Sequence, residues 1–224
     1  MDQNVKLVAV TEGAEDLIGK SAQDIISYVA RVSNPNNQMS FETGSKLIKY
    51  CITHQHWSIF EHSFMTMEIK TSRAIAAQIL RHRSFTFQEF SQRYAAANDF
   101  IEYKARRQDK KNRQNSVDDM SQEDLDWFSA AQAEVWDTAN KKYEEALAKG
   151  IAKEQARFLL PLNTGTTIYM SGSIRSWIHY IQLRSGNGTQ KEHADIALAC
   201  MSIISKRFPD VAEALGWMEN NGQE

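Results

Sequence analysis

The chain has 224 residues, enough for one large domain or two small ones, and its 42% hydrophobic and 24% charged residues are ordinary for a soluble globular protein. Its 26 Lys and Arg against 28 Asp and Glu give a net charge of −2, which provides no global drive toward nucleic acid. No stretch approaches the roughly 20 apolar residues that span a bilayer, and the opening MDQNVKLVAV lacks a signal peptide's basic start and apolar run, so we read it as part of the fold.

In chain order, Lys6 to Val10 alternates weakly and reads as an opening strand. Ser21 with Asp24 resembles a capping box ahead of Ile25, Ile26, Val29 and Val32 at helical spacing. A second helix is expected over about 42–53. In HSFMTMEIKT, Met65, Met67 and Ile69 alternate with Thr66, Glu68 and Lys70, the pattern of a half-buried strand. From Thr71 to about Leu80 the period is helical again and carries Gln78 toward Arg81.

Arg81 to Tyr94 (RHRSFTFQEFSQRY) is the most informative segment. Arg81, His82 and Arg83 stand in a row, and Ser91, Arg93 and Tyr94 follow. Guanidinium groups bind phosphate through paired hydrogen bonds, and serine hydroxyls complete such sites. Phe85, Phe87 and Phe90 interleave with them, so one face packs and the other meets an anionic ligand.

KARRQDKKNR (104–113) is strongly basic and an acidic stretch follows at 118–126. It reads as an exposed helix or loop insertion with self-compensating charges, or as a basic arm for nucleic acid or a folate tail. Trp127 to Lys149 reads as a long amphipathic helix ending at Gly150. Lys153 to Leu162 looks like a short helix stopped at Pro161, and 164–171 like a strand or an extended helix entry. IRSWIHYIQLR (174–184) is a helix with Ile174, Trp177, Ile178 and Ile181 on its apolar face and Arg175, His179 and Gln182 on another. Arg184 falls at its end, where the dipole favours a cation. Thr189 with Glu192 is expected to cap the next helix, which runs to about Lys206, and a short helix follows Pro209. Few strands among many helices predict an α+β fold.

Cys51 and Cys200 lie in apolar helical patterns without CxxC spacing. They read as packing residues in a reducing, cytoplasmic compartment. His54, His56, Glu61 and His62 invite a zinc reading, but HxH without HExxH is weak, so no metal is expected. Glu61 with His56 positioning a polar heterocycle, or plain capping and core histidines, are the other readings. Arg157, Arg175, His179 and Arg184 are costly to bury without an anion. They are expected to have no local acid partners, which favours a charged ligand over carboxylates from another subunit. No GxGxxG or GxxxxGKS occurs, so side chains rather than a glycine-rich loop are expected to hold phosphate.

RHR, seven residues and then Ser, as in Arg81-His82-Arg83 to Ser91, resembles the signature of the flavin-dependent thymidylate synthases. ARVS (30–33), HWSIFEH (56–62), Gln78 three residues before RHR, ARFLLPLN (156–163) and RSWIHYIQLR (175–184) are similar to further motifs of that family. The resemblance covers about residues 4–216, apart from the charged region 104–150. It implies a single domain with an α+β fold, a twisted, mainly antiparallel sheet flanked by helices. It implies methylation of dUMP to dTMP, with methylene-tetrahydrofolate as carbon donor and NADPH reducing a bound FAD. It further implies a homotetramer with active sites shared between subunits, and no membrane or nucleic-acid partner.

By the same resemblance, FAD contacts fall on Ser33, Ser58, Glu61, Arg81, His82, Arg83, Gln88, Glu89, Arg175, His179 and Leu183. The dUMP contacts fall on Gln78, Glu89, Phe90, Ser91, Gln92, Arg93, Arg157 and Arg184. His56 matches a position linked to the folate and flavin face. Gln88 and Ser173 stand where Asn is common, and Gly188 where some members place a His. With no placed cysteine, activation of the uracil ring is expected to be electrostatic, with Arg184 near the carbonyl. Arg93, Ser91 and Arg157 then hold the phosphate, Ser91 as a binder rather than a nucleophile. Two competing readings are a nucleic-acid module using Arg81–Arg83 and the basic run, and a metal-dependent nucleotide hydrolase using His54, His56 and His62.

Overall fold

The computed structural model describes residues 4–96, 99–186 and 188–218. The chain runs β1 (Val5–Val10), α1 (Ala22–Ala30), α2 (Gly44–Thr53), β2 (Phe64–Ser72), α3 (Arg73–Ile79) and β3 (Thr86–Glu89). The short strands β4 (Arg107–Gln108) and β5 (Ser116–Val117) and the long helix α4 (Gln122–Ala148) follow. Then come α5 (Lys153–Ala156), β6 (Gly165–Ser173), α6 (Ile174–Arg184), α7 (Lys191–Arg207) and α8 (Pro209–Ala214).

One antiparallel sheet, ordered β1-β2-β6-β3, organises the molecule. Its inner face is the alternating set read from the sequence: Met65, Met67 and Ile69 of β2 and Ile168 and Met170 of β6 are almost fully buried. They share a core with Ile26, Ile75, Ile79, Trp177, Ile181 and Ile204 from the helices. The other face is polar. Thr66 Oγ1 donates to Ser171 Oγ at 2.9 Å, Tyr169 OH donates to Glu68 Oε2 at 2.8 Å, and Lys6 Nζ lies 3.0 Å from Glu68 Oε1. An antiparallel sheet flanked by helices is the architecture the sequence pointed to.

Two strand-to-helix junctions place the functional segments. Ser72 ends β2 and its Oγ accepts from Ile75 N–H, capping α3. Ser173 ends β6 and its Oγ accepts from Ser176 N–H, capping α6. Caps of this kind satisfy amide groups that a helix leaves unpaired. Ser173 thus performs a serine's task where Asn is common. Because β2 and β6 run antiparallel, with Phe64 opposite Ser173 and Ser72 opposite Gly165, the two helices leave opposite ends of the strand pair. Their far ends then meet: Arg184 closes α6 and His82 lies just past α3. Gly172 permits the intervening segment to lie flat, since a Cβ there would sit 2.5 Å from the Phe85 ring.

The capping box at Ser21 and Asp24 forms as expected. Of the helix and loop alternatives for the charged segment, residues 104–119 take the loop form, as a small β-hairpin, and the Arg107–Asp119 and Lys104–Asp118 pairs across it compensate its charge. Two details differ from the sequence reading. The helix α4 begins at Gln122 behind the Ser121 cap, five residues before Trp127, because Ser121 supplies the acceptor that starts a helix. Thr189 does not cap α7. Its Oγ1 donates to the Leu183 carbonyl, Gln190 occupies the cap position, and Glu192 turns to Arg106 instead.

Candidate active site

The arginines and histidines singled out in the sequence gather into three clusters at the helix ends. In the first, Arg184 Nε donates to His82 Nε2 at 2.9 Å. The His82 ring packs edge-on against Tyr180 at 4.9 Å, and Tyr180 OH lies 3.1 Å from Nε2 of the fully buried His193. Gln78 joins this cluster through His193 and Gln190. Burial, then the Arg184, His179 and Arg81 charges, lowers the His82 pKa to about 4. Burial, then Arg184 and His82, lowers that of His193 to about 4. Both rings are therefore neutral at pH 7, and His82 can accept the Arg184 N–H.

These shifts have a stability consequence. An unfolded imidazole takes up a proton near pH 6.5, whereas these two resist protonation until about 4. Their contribution to stability is complete above about pH 6.5 and is lost as pH falls toward 4, because the unfolded state binds more protons there. Thermal melts are expected to show a midpoint that falls between pH 7 and pH 5, with a shallower fall in His193→Gln. A midpoint flat across that window would contradict the burial of neutral rings.

In the second cluster, Arg175 bonds Glu61 at the mouth of a groove of about 460 Å³ lined by Trp57, Ser84, His179 and Gln182. That volume is in the range of small-molecule sites. An aromatic wall, a guanidinium and a row of polar side chains are a donor set suited to a flavin ring and its polar chain. Arg31, in the ARVS segment that holds Ser33, is buried, donates to Thr43 and leaves Nη1 unpaired, a further donor beside the expected flavin contacts.

In the third cluster, Arg93 Nε lies 3.0 Å from Glu154 Oε2, and Arg157 Nε donates to the Glu154 carbonyl at 3.1 Å. The side chains of the Arg93–Glu154 pair are about half exposed, 56% and 46%. Such a pair contributes little, so a phosphate can displace the carboxylate at small cost. Gln92 is buried with Nε2 unpaired, a donor suited to a polar ligand. Ser91 Oγ accepts from Arg93 N–H at 3.4 Å. Glu89 is already engaged: Oε1 lies 2.8 Å from Arg73 Nη1 and accepts from Thr166 Oγ1 at 3.0 Å.

The expectation that Arg157, Arg175, His179 and Arg184 lack local acids is corrected for Arg175, and Arg93, outside that set, also meets an acid. Glu61 and Glu154 stand far from them in the chain and are brought beside them by folding. Arg157 bonds a backbone carbonyl, and Arg184 faces neutral imidazoles. Ser33, Ser58, Arg81, Arg83, Gln88, Phe90 and Leu183 are solvent-exposed around the clusters. His56 is exposed with its ring edge-on to Tyr50 at 5.9 Å, and His54 Nδ1 bonds the Tyr50 carbonyl. Among the described residues, no three His, Cys, Asp or Glu side chains converge as a metal site. Gly188 has φ +92, a backbone conformation that disfavours a side chain such as the His of some relatives. Both cysteines are buried thiols, and burial pushes their pKa values up.

Sequence reasoning missed Arg73, Tyr180, His193, Gln190 and Glu192. A cavity of about 910 Å³ lies between the hairpin, the start of α4 and the loop after α6, lined in part by Gly188 and Arg113. It reaches the first cluster through Gln190, which bonds both Gln78 and the cavity-lining Glu192.

Arginine clusters beside one antiparallel sheet define an α+β protein with sites suited to anionic small molecules. The comparisons make this specific. The family described as "Thymidylate synthase complementing protein" matches residues 6–210. The chain is 56% identical over 216 residues to the "Probable flavin-dependent thymidylate synthase" of Paramecium bursaria Chlorella virus 1, covering 96% of this chain and 100% of the relative. It is 55% identical, with the same coverage, to the "Flavin-dependent thymidylate synthase" of Synechocystis sp.. The crystal structure of a UMP/dUMP methylase, PolB from Streptomyces cacaoi, bound with 5-Br dUMP, shares the fold, with a TM-score of 0.82 at 24% identity over 95% of this chain and 94% of that one. The chain belongs to the flavin-dependent thymidylate synthase family.

Proposed function

We propose that this chain is an FAD-dependent thymidylate synthase that converts dUMP to dTMP, with methylene-tetrahydrofolate as carbon donor and NADPH as reductant. The observation that carries this reading is Arg184 held against neutral His82 beside Gln78, in a chain 56% identical to a relative of that name. When bound, FAD would supply the hydride, with NADPH as the source of its electrons. The groove of Trp57, Glu61, Ser84, Arg175 and His179 would hold it, together with Ser33, Ser58, Arg81, His82, Arg83, Gln88 and Leu183.

The chain's own residues bind and polarise dUMP. Arg93, Ser91 and Arg157 take the phosphate, with Gln92 and Phe90 alongside, and orient the ring. Arg184 faces the uracil carbonyl region and stabilises negative charge as C5 becomes nucleophilic. Neutral His82 leaves that guanidinium's charge undiluted. His56 is placed toward the folate face. The two thiols support activation without a cysteine, since burial keeps both protonated. Tyr94 and Phe158, 78% and 74% exposed, lie against the Arg93 and Arg157 guanidinium groups. An apolar rim around a binding cluster supports a homotetramer whose neighbouring subunits complete each site. Buried, unpaired cysteines fit a cytoplasmic setting. No helix among the described residues is long and apolar enough to cross a membrane.

The test is an absorbance spectrum of the purified protein followed by anaerobic reduction with NADPH, with and without dUMP. The expected result is a flavin spectrum that bleaches at a rate responsive to dUMP. A colourless protein that takes up no added FAD would overturn the reading. Activity abolished by chelator would point to the hydrolase, and steep salt-dependent binding of DNA or RNA to the nucleic-acid module.

A further inference from the structure

The role of the charged hairpin 104–119 was left open by the sequence, and a chain of hydrogen bonds connects it to Gln78. Arg106, whose Nε donates to Ser116 Oγ across the hairpin at 2.9 Å, pairs with Glu192, and each side chain of this ion pair is only 14% exposed. Gln190 Nε2 donates to the second Glu192 oxygen at 2.9 Å. Gln78 Nε2 donates to Gln190 Oε1 at 2.6 Å. Gln78 Oε1 lies 3.3 Å from His193 Nδ1, and His193 Nε2 lies 3.1 Å from Tyr180 OH.

An ionised carboxylate only accepts hydrogen bonds, and that fact sets the direction of every later link. Gln190 must turn its NH2 to Glu192, so its oxygen faces Gln78. Gln78 must then turn its NH2 to Gln190 and its oxygen to His193. A neutral His193 must carry its proton on Nδ1, and Nε2 accepts from Tyr180 O–H. One N–H of Gln78 is left over, aimed by the rest of the chain. Burial would raise the Glu192 pKa, but hydrogen bonds from Arg106, its own backbone N–H and Gln190 outweigh it and keep the carboxyl ionised.

We propose that Arg106 and Glu192 are positioning residues that fix the amide orientation of Gln78 and the tautomer of His193, so that the hairpin aligns the nucleotide subsite. The proposal rests on reading Gln78 as a dUMP contact. The ion pair lies outside that contact and acts through two neutral side chains, Gln190 and Gln78. Replacing Glu192 with Gln keeps its volume but removes the acceptor-only constraint, so both amides become free to flip.

The test measures dUMP dissociation constants on the FAD-loaded protein for wild type, Glu192→Gln, Gln78→Ala and the double variant. Nitrogen-15 NMR of the His193 ring reports its tautomer. Glu192→Gln is expected to weaken dUMP binding about tenfold, the scale of one well-made hydrogen bond, with flavin content unchanged. In the Gln78→Ala background the same change is expected to have less than about a twofold effect, because coupled residues are non-additive. His193 is expected to shift from the Nδ1–H form to a mixture. Equal losses in both backgrounds, an unchanged tautomer, or normal dUMP binding by Gln78→Ala would each overturn the proposal and leave the proposed function standing. A wild-type protein that binds FAD but no dUMP would overturn both. If Glu192→Gln loses its flavin or its cooperative melt, Gln190→Leu breaks the same chain at an exposed position and carries the same expectations.

Discussion

Arg184→Ala is expected to lower the rate of dTMP formation by about 10²–10³-fold, the range seen when a preorganised donor to developing charge is removed. Flavin content per chain is expected to stay within about twofold of wild type. The asymmetry follows from the geometry. Arg184 sits at the end of α6 and is not among the residues lining the groove of Trp57, Glu61 and Arg175, and one of its N–H groups is spent holding His82. Its charge is felt by both neutral imidazoles, whose pKa values it depresses, so the same field acts on a uracil carbonyl placed beside it. Arg184→Lys keeps the charge but loses the planar fork and is expected to fall between the two. Turnover and the 450 nm flavin absorbance, measured on the same preparations, decide the matter. Equal losses would make Arg184 a cofactor holder instead.

Trp177→Ala is expected to cost about 3–5 kcal/mol from the cavity alone. The ring is fully buried, and its Nε1 donates to the Met65 carbonyl at 3.2 Å near the start of β2. Truncation also removes that hydrogen bond, worth about 0.5–1.5 kcal/mol. Against a total stability of about 5–15 kcal/mol, this brings the chain to the edge of unfolding. Each kcal/mol lowers the midpoint by about 2–4 °C in a chain of this size, so a fall of about 10 °C or more is expected in a thermal melt. Function should suffer even below that temperature. Phe85 packs edge-on against Trp177 at 4.8 Å, and Phe85 seats the segment from Arg81 to Phe90 on β6. Trp177→Phe, which retains most of the volume, is expected to lose less than half as much. A midpoint shift under about 3 °C for the alanine variant would show that the site collapses around the loss.

How much of the site was legible differs from residue to residue. Arg81, His82, Arg83 and Arg184 were visible because guanidinium and imidazole groups set among apolar residues are costly without a ligand. Gln78 was placed on the right helix by its period. Its partners were not visible: Gln190 is 112 residues away, and His193, 115 residues away, reads in sequence as one more polar residue on a helix. Arg73 was overlooked because its partner, Glu89, lies across a strand pairing that no local pattern reveals. The misplaced cap at Thr189 has the same origin. Thr-x-x-Glu is a sound local signal, but Glu192 gains more from Arg106, which docking of the hairpin delivers to it.

The sequence by itself determined what depends on near neighbours. The alternation in β2, the helical faces of α1 and α6, the Ser21 capping box and the order of chemistry-bearing segments follow from backbone period and from bonds three or four residues long. Tertiary structure alone decided which charges meet. Glu61 faces Arg175 because antiparallel pairing of β2 with β6 sets Phe64 opposite Ser173, while Glu154 meets Arg93 and Glu192 meets Arg106 across segments far apart in the chain. An ion pair or a buried histidine is worth only what its partner and its burial make it, and both are properties of the packed chain rather than of any window of residues.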